Sequence, residues 1–422
     1  MKRAGLAAIA ALVLGAGCFP VLLDVDKQGR VLIARQEGVF SFDAKTERCQ
    51  LLCKPSKGTS AWARWSPDGK MVLVGIIHEG EGTELLVYNI ATKQSKSVGT
   101  FRNISCALWS PESRAISVAE PRGDAACDLD LVNLATGERK GMLSKALPMH
   151  KWLPGGKVVA FTIQQEREEN AYYGELVVYN AANGDLQLIE SMICDRYASV
   201  DVSPDGASAL LIEWTDKPGY KLSLVDMKAR KKTILLTEGV MNAFWSPDGK
   251  KIAIVKGMTR DDWWAGRSDQ ERNRQRPPRR PGPPGQTTPE QEAQPPKPDE
   301  KPKEDSEELV MPGEMPPAKL VVTDREGKNE QLVASNVAIE TEAGSSARPI
   351  YPAWLDVNTI LYFEKTRVYG VAGTSLRLMR VGADGTGRRS LQHIIDAAAA
   401  GKPLPGLTPK TGTTPPTPVP PK

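Results

Sequence analysis

The residue types that carry most acid–base and metal chemistry are scarce in this chain. Histidine occurs three times, at His78, His150 and His393, too few to build both a catalytic triad and a multi-histidine metal centre. Neither a Gly-x-Ser-x-Gly elbow nor a Cys-x-x-Cys pair occurs. The run Asp24-Val25-Asp26-Lys27-Gln28-Gly29 begins like a calcium loop, but Arg35 stands where that loop needs a bidentate glutamate. No catalytic residue, metal or cofactor is therefore expected. What remains are aromatic, arginine and acidic residues of the kinds that supply interface hot spots: Arg122 and Asp124, Tyr172 and Tyr173, Trp214 and Asp216, and the pair Trp263-Trp264. Each is placed on a loop between apolar runs and is a candidate binding residue, although Trp263 and Trp264 could equally fold back and seal the scaffold.

Cys18 is reactive in another sense. Lys2 and Arg3 give a basic start, Ala4 to Leu14 is an apolar run, and the small residues Gly15, Ala16 and Gly17 precede Cys18. The run is too short to span a bilayer and reads as a secretory signal. The ending Leu14-Gly15-Ala16-Gly17-Cys18 resembles the lipobox of bacterial lipoproteins, with Leu14 one place early and Gly15 where an apolar residue is usual. That resemblance implies cleavage before Cys18 and acylation of its thiol, and Phe19 rather than Asp after it implies the outer membrane. An acyl anchor gains about 0.8 kcal/mol per buried methylene. Of the five later cysteines, Cys49 and Cys53 are four apart in an expected strand, about 13 Å at strand rise and beyond disulfide reach. All five are expected to act as small packed side chains.

The elements that would position these residues recur along the chain. The best copies of the landmark are Trp65-Ser66-Pro67-Asp68-Gly69, Val202-Ser203-Pro204-Asp205-Gly206 and Trp245-Ser246-Pro247-Asp248-Gly249. Degenerate copies sit at Trp109-Ser110-Pro111-Glu112, Trp152-Leu153-Pro154-Gly155-Gly156 and Trp354-Leu355-Asp356, and the first repeat keeps only Asp26-Lys27-Gln28-Gly29. In each turn proline presets φ, Asp or Ser bonds the local backbone, and glycine takes the left-handed position. A second landmark shares the period: Asp43, Asn89, Asn133, Asn180, Asp226 and Asp324 each follow an apolar strand and open a turn. The steps run from about 43 to 50 residues, except the last, as a four-stranded propeller blade requires. Runs such as Met71-Val72-Leu73-Val74 and Ile252-Ala253-Ile254-Val255 read as strands between those turns.

These turns resemble the TolB-like propeller repeats of bacterial envelope proteins. The resemblance implies an all-β propeller, counted here as seven four-stranded blades, with six or eight as the neighbouring counts. TolB's additional N-terminal domain has no counterpart in these residues.

Two stretches fall outside the pattern. Of 33 prolines, 13 lie between Pro277 and Pro317 and 8 between Pro403 and Pro421. The first stretch interrupts repeat six between its second and third strands, and its Arg-rich then Glu-rich composition has few apolar residues to offset ordering entropy. The expected organisation is a signal peptide over 1–17, an anchor and linker over 18–21, a propeller over 22–395 interrupted by a disordered insertion over 259–316, and a disordered tail over 396–422. The 422 residues are 40% apolar and 25% charged, a globular composition, and the net charge of +4 gives no field that calls for nucleic acid. The expected function is a lipid-anchored, non-enzymatic scaffold in the cell envelope, facing the periplasm and binding other envelope proteins through its loop face and flexible arm. The alternative is a small-ligand or glycan sensor using the central channel or loop face; a peptidase-like enzyme is a distant third.

Overall fold

The local unit is the Ser-Pro-Asp-Gly turn. The Ser66 hydroxyl donates to Asp68 Oδ1 (2.6 Å) and accepts the N–H of Met71 (2.9 Å), while Gly69 N–H donates to Ser66 O (2.8 Å). Ser203 and Ser246 repeat these bonds with Asp205 and Asp248. Hydrogen bonds from Ser203 and the Ala207 N–H hold the Asp205 carboxyl below its ordinary range. Gly69, Gly206 and Gly249 take φ of 69°, 71° and 68°, which only glycine adopts without strain. In blade three, which has no such glycine, Ser113 takes the position at φ 58°. The second landmark is an Asx turn: the side-chain oxygens of Asp43, Asn89, Asn133 and Asp226 each accept N–H groups two and three residues further on.

The computed structural model describes residues 21–22, 24–35, 38–78, 80–123, 126–168, 171–195, 198–213, 220–257, 318–338, 350–367 and 374–393. After a short β1 (Val21–Leu22), the first blade holds β2 (Asp24–Val25), β3 (Arg30–Arg35), β4 (Gly38–Asp43) and β5 (Arg48–Cys53). The second holds β6 (Thr59–Trp65), β7 (Met71–His78), β8 (Gly82–Asn89) and β9 (Ser95–Phe101). Blade three follows with β10 (Cys106–Trp109), β11 (Ala115–Arg122), β12 (Ala126–Asn133) and the start of β13 (Arg139–Leu153). The end of β13 begins blade four, continued by β14 (Lys157–Glu168), β15 (Ala171–Asn180) and β16 (Leu186–Cys194). Blade five has β17 (Ser199–Val202), β18 (Ser208–Glu213), β19 (Tyr220–Asp226) and the start of β20 (Lys231–Trp245). The end of β20 opens blade six, with β21 (Lys251–Lys256), β22 (Ala318–Asp324) and β23 (Gln331–Val337). Then come β24 (Ile350–Tyr351) and the last blade: β25 (Ala353–Asp356), β26 (Thr359–Arg367), β27 (Thr374–Gly382) and β28 (Arg389–Ser390). Within every blade the pairing is antiparallel. Lys256 stands opposite Lys319, so β21 and β22 pair as an ordinary hairpin although residues 258–317, outside the described residues, separate them.

The fold is a β-propeller, and its core lies between blades. Seven apolar clusters each join two neighbouring blades, including one that sets Val31 and Phe42 of the first against Leu361, Leu378 and Leu391 of the last. Each fully buried Leu, Ile or Phe contributes about 1.5–3 kcal/mol. Among the described residues the first blade takes no strand from the last; β1 instead pairs parallel with β24, Val21 opposite Ile350. The repeat tryptophans of blades two, three and four each tie their blade to the one before. Trp65 Nε1–H donates to Arg30 O (3.0 Å), Trp109 Nε1–H to Arg64 O (3.2 Å) and Trp152 Nε1–H to Ser117 Oγ (2.9 Å). Trp62 lies so close to Gly75 that a Cβ there would meet its ring at 2.3 Å.

Ion pairs span from second to fourth strand at a repeated place: Glu120–Arg139, Glu213–Lys232 and Glu364–Arg388, with the signs exchanged in Lys256–Glu330. Glu213 is 1% exposed and also meets Lys221 and the Ser223 hydroxyl. The thiols of Cys106, Cys127 and Cys194 are free and buried, and β5 carries both Cys49 and Cys53 as an extended strand.

Two stability outcomes follow. Glu213→Gln leaves two lysines facing a neutral amide and should cost about 3 kcal/mol in urea unfolding, whereas Glu213→Leu with Lys232→Met should come close to wild type. Ser113→Gly removes left-handed strain and a buried hydroxyl without a hydrogen-bond partner among the described residues, and should stabilise by about 1–2 kcal/mol.

Candidate functional site

The first strands of neighbouring blades touch around the axis, β2 against β6 and β25, and β13 against β17. One position recurs on them, immediately before the Trp or Val of each turn landmark: Asp24, Arg64, Leu108, Lys151, Asp201, Phe244 and Ala353. Four of these seven are charged. Asp24 Oδ2 accepts the N–H of Trp65 in the next blade (2.5 Å), and Asp201 Oδ2 accepts that of Trp245 (2.8 Å). Lys151 Nζ pairs with Asp201 Oδ1 at 3.1 Å. Arg64 and Lys151 act electrostatically on Asp24, Cys106 and His150, which come from blades one, three and four. Blades one, two, four and five thus bring charge to one place on the axis. Burial pushes the Asp24 carboxyl above its ordinary range, against the opposing pull of Arg64 and the Trp65 N–H.

Beside this ring lies a serine–histidine pair. The Ser117 hydroxyl donates to His150 Nε2 (2.7 Å), His150 Nδ1–H donates to Pro148 O (3.1 Å), and Ser117 Oγ accepts the Trp152 indole. The tautomer follows from those partners. Ser117 is 0% and His150 1% exposed, so no substrate carbonyl reaches the hydroxyl, and the pair serves to join β11 to β13. Burial lowers the His150 pKa to about 4, with the charges of Arg64 and Lys151 acting in the same sense. Among the described residues no three His, Cys, Asp or Glu side chains converge as a metal-binding group.

The residues singled out from sequence lie elsewhere. Arg122 ends β11, is exposed, and pairs with Asp128 at 2.6 Å across the hairpin. Tyr172 and Tyr173 stand in β15 rather than on a loop, because β14 and β15 stay paired as far as Glu168 and Ala171. Tyr172 leans on the apolar cluster between blades four and five, and Tyr173 is 46% exposed. Cys18, Asp124, Trp214, Asp216, Trp263 and Trp264, like the insertion and tail boundaries, lie outside the described residues. His78 pairs with Glu84 at 2.9 Å within the β7–β8 hairpin. The axial ring was missed in sequence, although the landmark's own register marks it one residue upstream of each Trp or Val. A separate apolar cleft of about 520 Å³, lined by Met71, Val87, Val98 and Leu134, opens between blades two and three on the Ser-Pro-Asp-Gly side.

No protein-family model matches the sequence, and no curated protein matches it. Solved structures do resemble it in fold. An oligogalacturonate lyase in complex with manganese superposes with a TM-score of 0.54 at 13% identity, over 87% of this chain and 89% of that one. The β-propeller domain of the Trilobed protease from Pyrococcus furiosus, which has an open velcro topology, gives 0.52 at 13% identity over 90% and 97%. TolB from Acinetobacter baumannii gives 0.40 at 13% identity over 85% and 77%. At these identities the likeness shows the propeller fold and not an activity.

The buried histidine gives a signed pH dependence. Its folded pKa lies below the unfolded value near 6.5, so its contribution is full above about pH 6.5 and is lost as pH falls toward 4, to the extent of about 3 kcal/mol. Urea midpoints between pH 7.5 and 4.5 should fall in wild type, and this component should vanish in His150→Gln; equal slopes for the two proteins would refute it.

Proposed function

We propose that the protein is a non-enzymatic propeller scaffold, held by acylated Cys18 on the outer membrane of the cell envelope and facing the periplasm, that binds another envelope protein through one loop face. The observation that carries the reading is topological. In every blade the link between second and third strands leaves on the same side, and the long excursion between β21 and β22 leaves there too. Arg122 and the exposed ring of Tyr173 stand near that side, an arginine and an aromatic on a rigid support. The inaccessible serine–histidine pair supports binding over hydrolysis. No helix among the described residues is long and apolar enough to cross a membrane, so the anchor proposed is the lipid at Cys18.

Two measurements test this. Cys18→Ala should move the protein from the membrane to the soluble envelope fraction. Crosslinking pull-down from envelopes should recover a defined set of proteins, with yields that drop when 259–316 is deleted or when Arg122 and Tyr173 are both changed to Ala. Recovery unaffected by either change, with both variants folded by circular dichroism, would count against the loop face.

A further inference from the structure

The loop face leaves the charged ring on the axis without a task, and its bonding is uneven. Both carboxylates are engaged by backbone N–H groups of the following blade, Asp24 by Trp65 and Asp201 by Trp245. Lys151 is engaged by Asp201. Arg64 is not engaged in this way: no carboxylate among the described residues lies within ion-pairing distance of it, and its neighbour is the buried thiol of Cys106. Its carbonyl, not its side chain, receives the Trp109 indole. Its half-buried guanidinium has five N–H donors in a planar fork; the Cys106 sulfur meets one of them, and leaving the others unmatched is costly unless an anion or water meets them.

We propose that the axis of the propeller is a binding site for a small carboxylate, held by the Arg64 fork with Lys151 as a second positive charge. A planar carboxylate matches that fork by two parallel hydrogen bonds. Lys151 Nζ keeps donors beyond the one it gives Asp201, and its side chain is 42% exposed, so solvent reaches the ring. The raised pKa of Asp24 works in the same direction, since a carboxyl nearer neutrality opposes a bound anion less. Leu108, Phe244 and Ala353, the three uncharged positions of the ring, pack against the apolar clusters between blades. The site does not depend on the loop-face reading, because none of its residues comes from the links between second and third strands.

Calorimetric titration of the full chain with succinate, and with an acetylated dipeptide bearing either a free or an amidated C-terminus, tests the proposal and tells a free acid from a chain terminus. Saturable binding of succinate or of the free-acid peptide, but not the amide, is expected. Arg64→Gln should weaken it about tenfold to a hundredfold, the range for charge-assisted hydrogen bonds. Arg64→Lys should fall between the two, and Asp24→Asn, which keeps an oxygen for the Trp65 N–H, should bind more tightly than wild type. Urea midpoints confirm that each variant folds. No saturable binding by wild type, equal binding of acid and amide peptides, or undiminished binding by a folded Arg64→Gln protein would overturn it.

Discussion

The first strand of each blade has a sheet partner on only one side. Its other edge faces the axis, where a polypeptide N–H needs an acceptor. Asp24 and Asp201 answer that need by reaching across to the backbone N–H of a tryptophan in the next blade. Trp65 replies in the opposite sense, sending its indole N–H back to a carbonyl of the preceding blade, as Trp109 does in the blade after it. Trp65 therefore works twice, once through its main chain and once through its ring. This reciprocal bond, with the apolar cluster beneath it, turns a string of hairpins into a ring.

The same geometry explains why polar groups gather on the axis and not elsewhere. A blade's middle strands are covered on both faces by neighbours and are mostly apolar, as in β18, where every residue is buried and four of the six are apolar. Where charge does enter, as at Glu213, it is met by two lysines and a hydroxyl. The pair that spans from second to fourth strand is kept in blades three, five and seven and reversed in sign in blade six. What the fold requires at that place is neutrality across the third strand; the identity of each partner is free.

Most of the architecture was legible from residues whose constraint is local. Pro and Gly fix φ, and Ser, Asp and Asn reach only their own turn, so Ser66 to Gly69 or Asn89 can be read without the rest of the chain. The axial ring was illegible for the opposite reason. Arg64 and Lys151 look like exposed charges beside a turn until the chain closes and brings residues some ninety positions apart to the same axis, where both act on Asp24. Tyr172 and Tyr173 were misplaced on a loop because the stretch Gln164-Gln165-Glu166-Arg167-Glu168 is polar, yet pairing alone carries β14 and β15 to the tip of the hairpin. Ser113 shows a further limit: the turn keeps its shape when its glycine is gone, at a strain that the letter itself does not reveal.

The hairpin of β21 and β22 closes in register, with Lys251 opposite Asp324 and Lys256 opposite Lys319. A link of two residues would serve this register as well as the long one present. Because closure entropy grows only logarithmically, doubling the link costs about 0.6 kcal/mol, far less than the apolar contacts of a single blade. The sixth blade is consequently a neutral port, where sequence can be gained, shed or exchanged over evolutionary time while the disc keeps its shape.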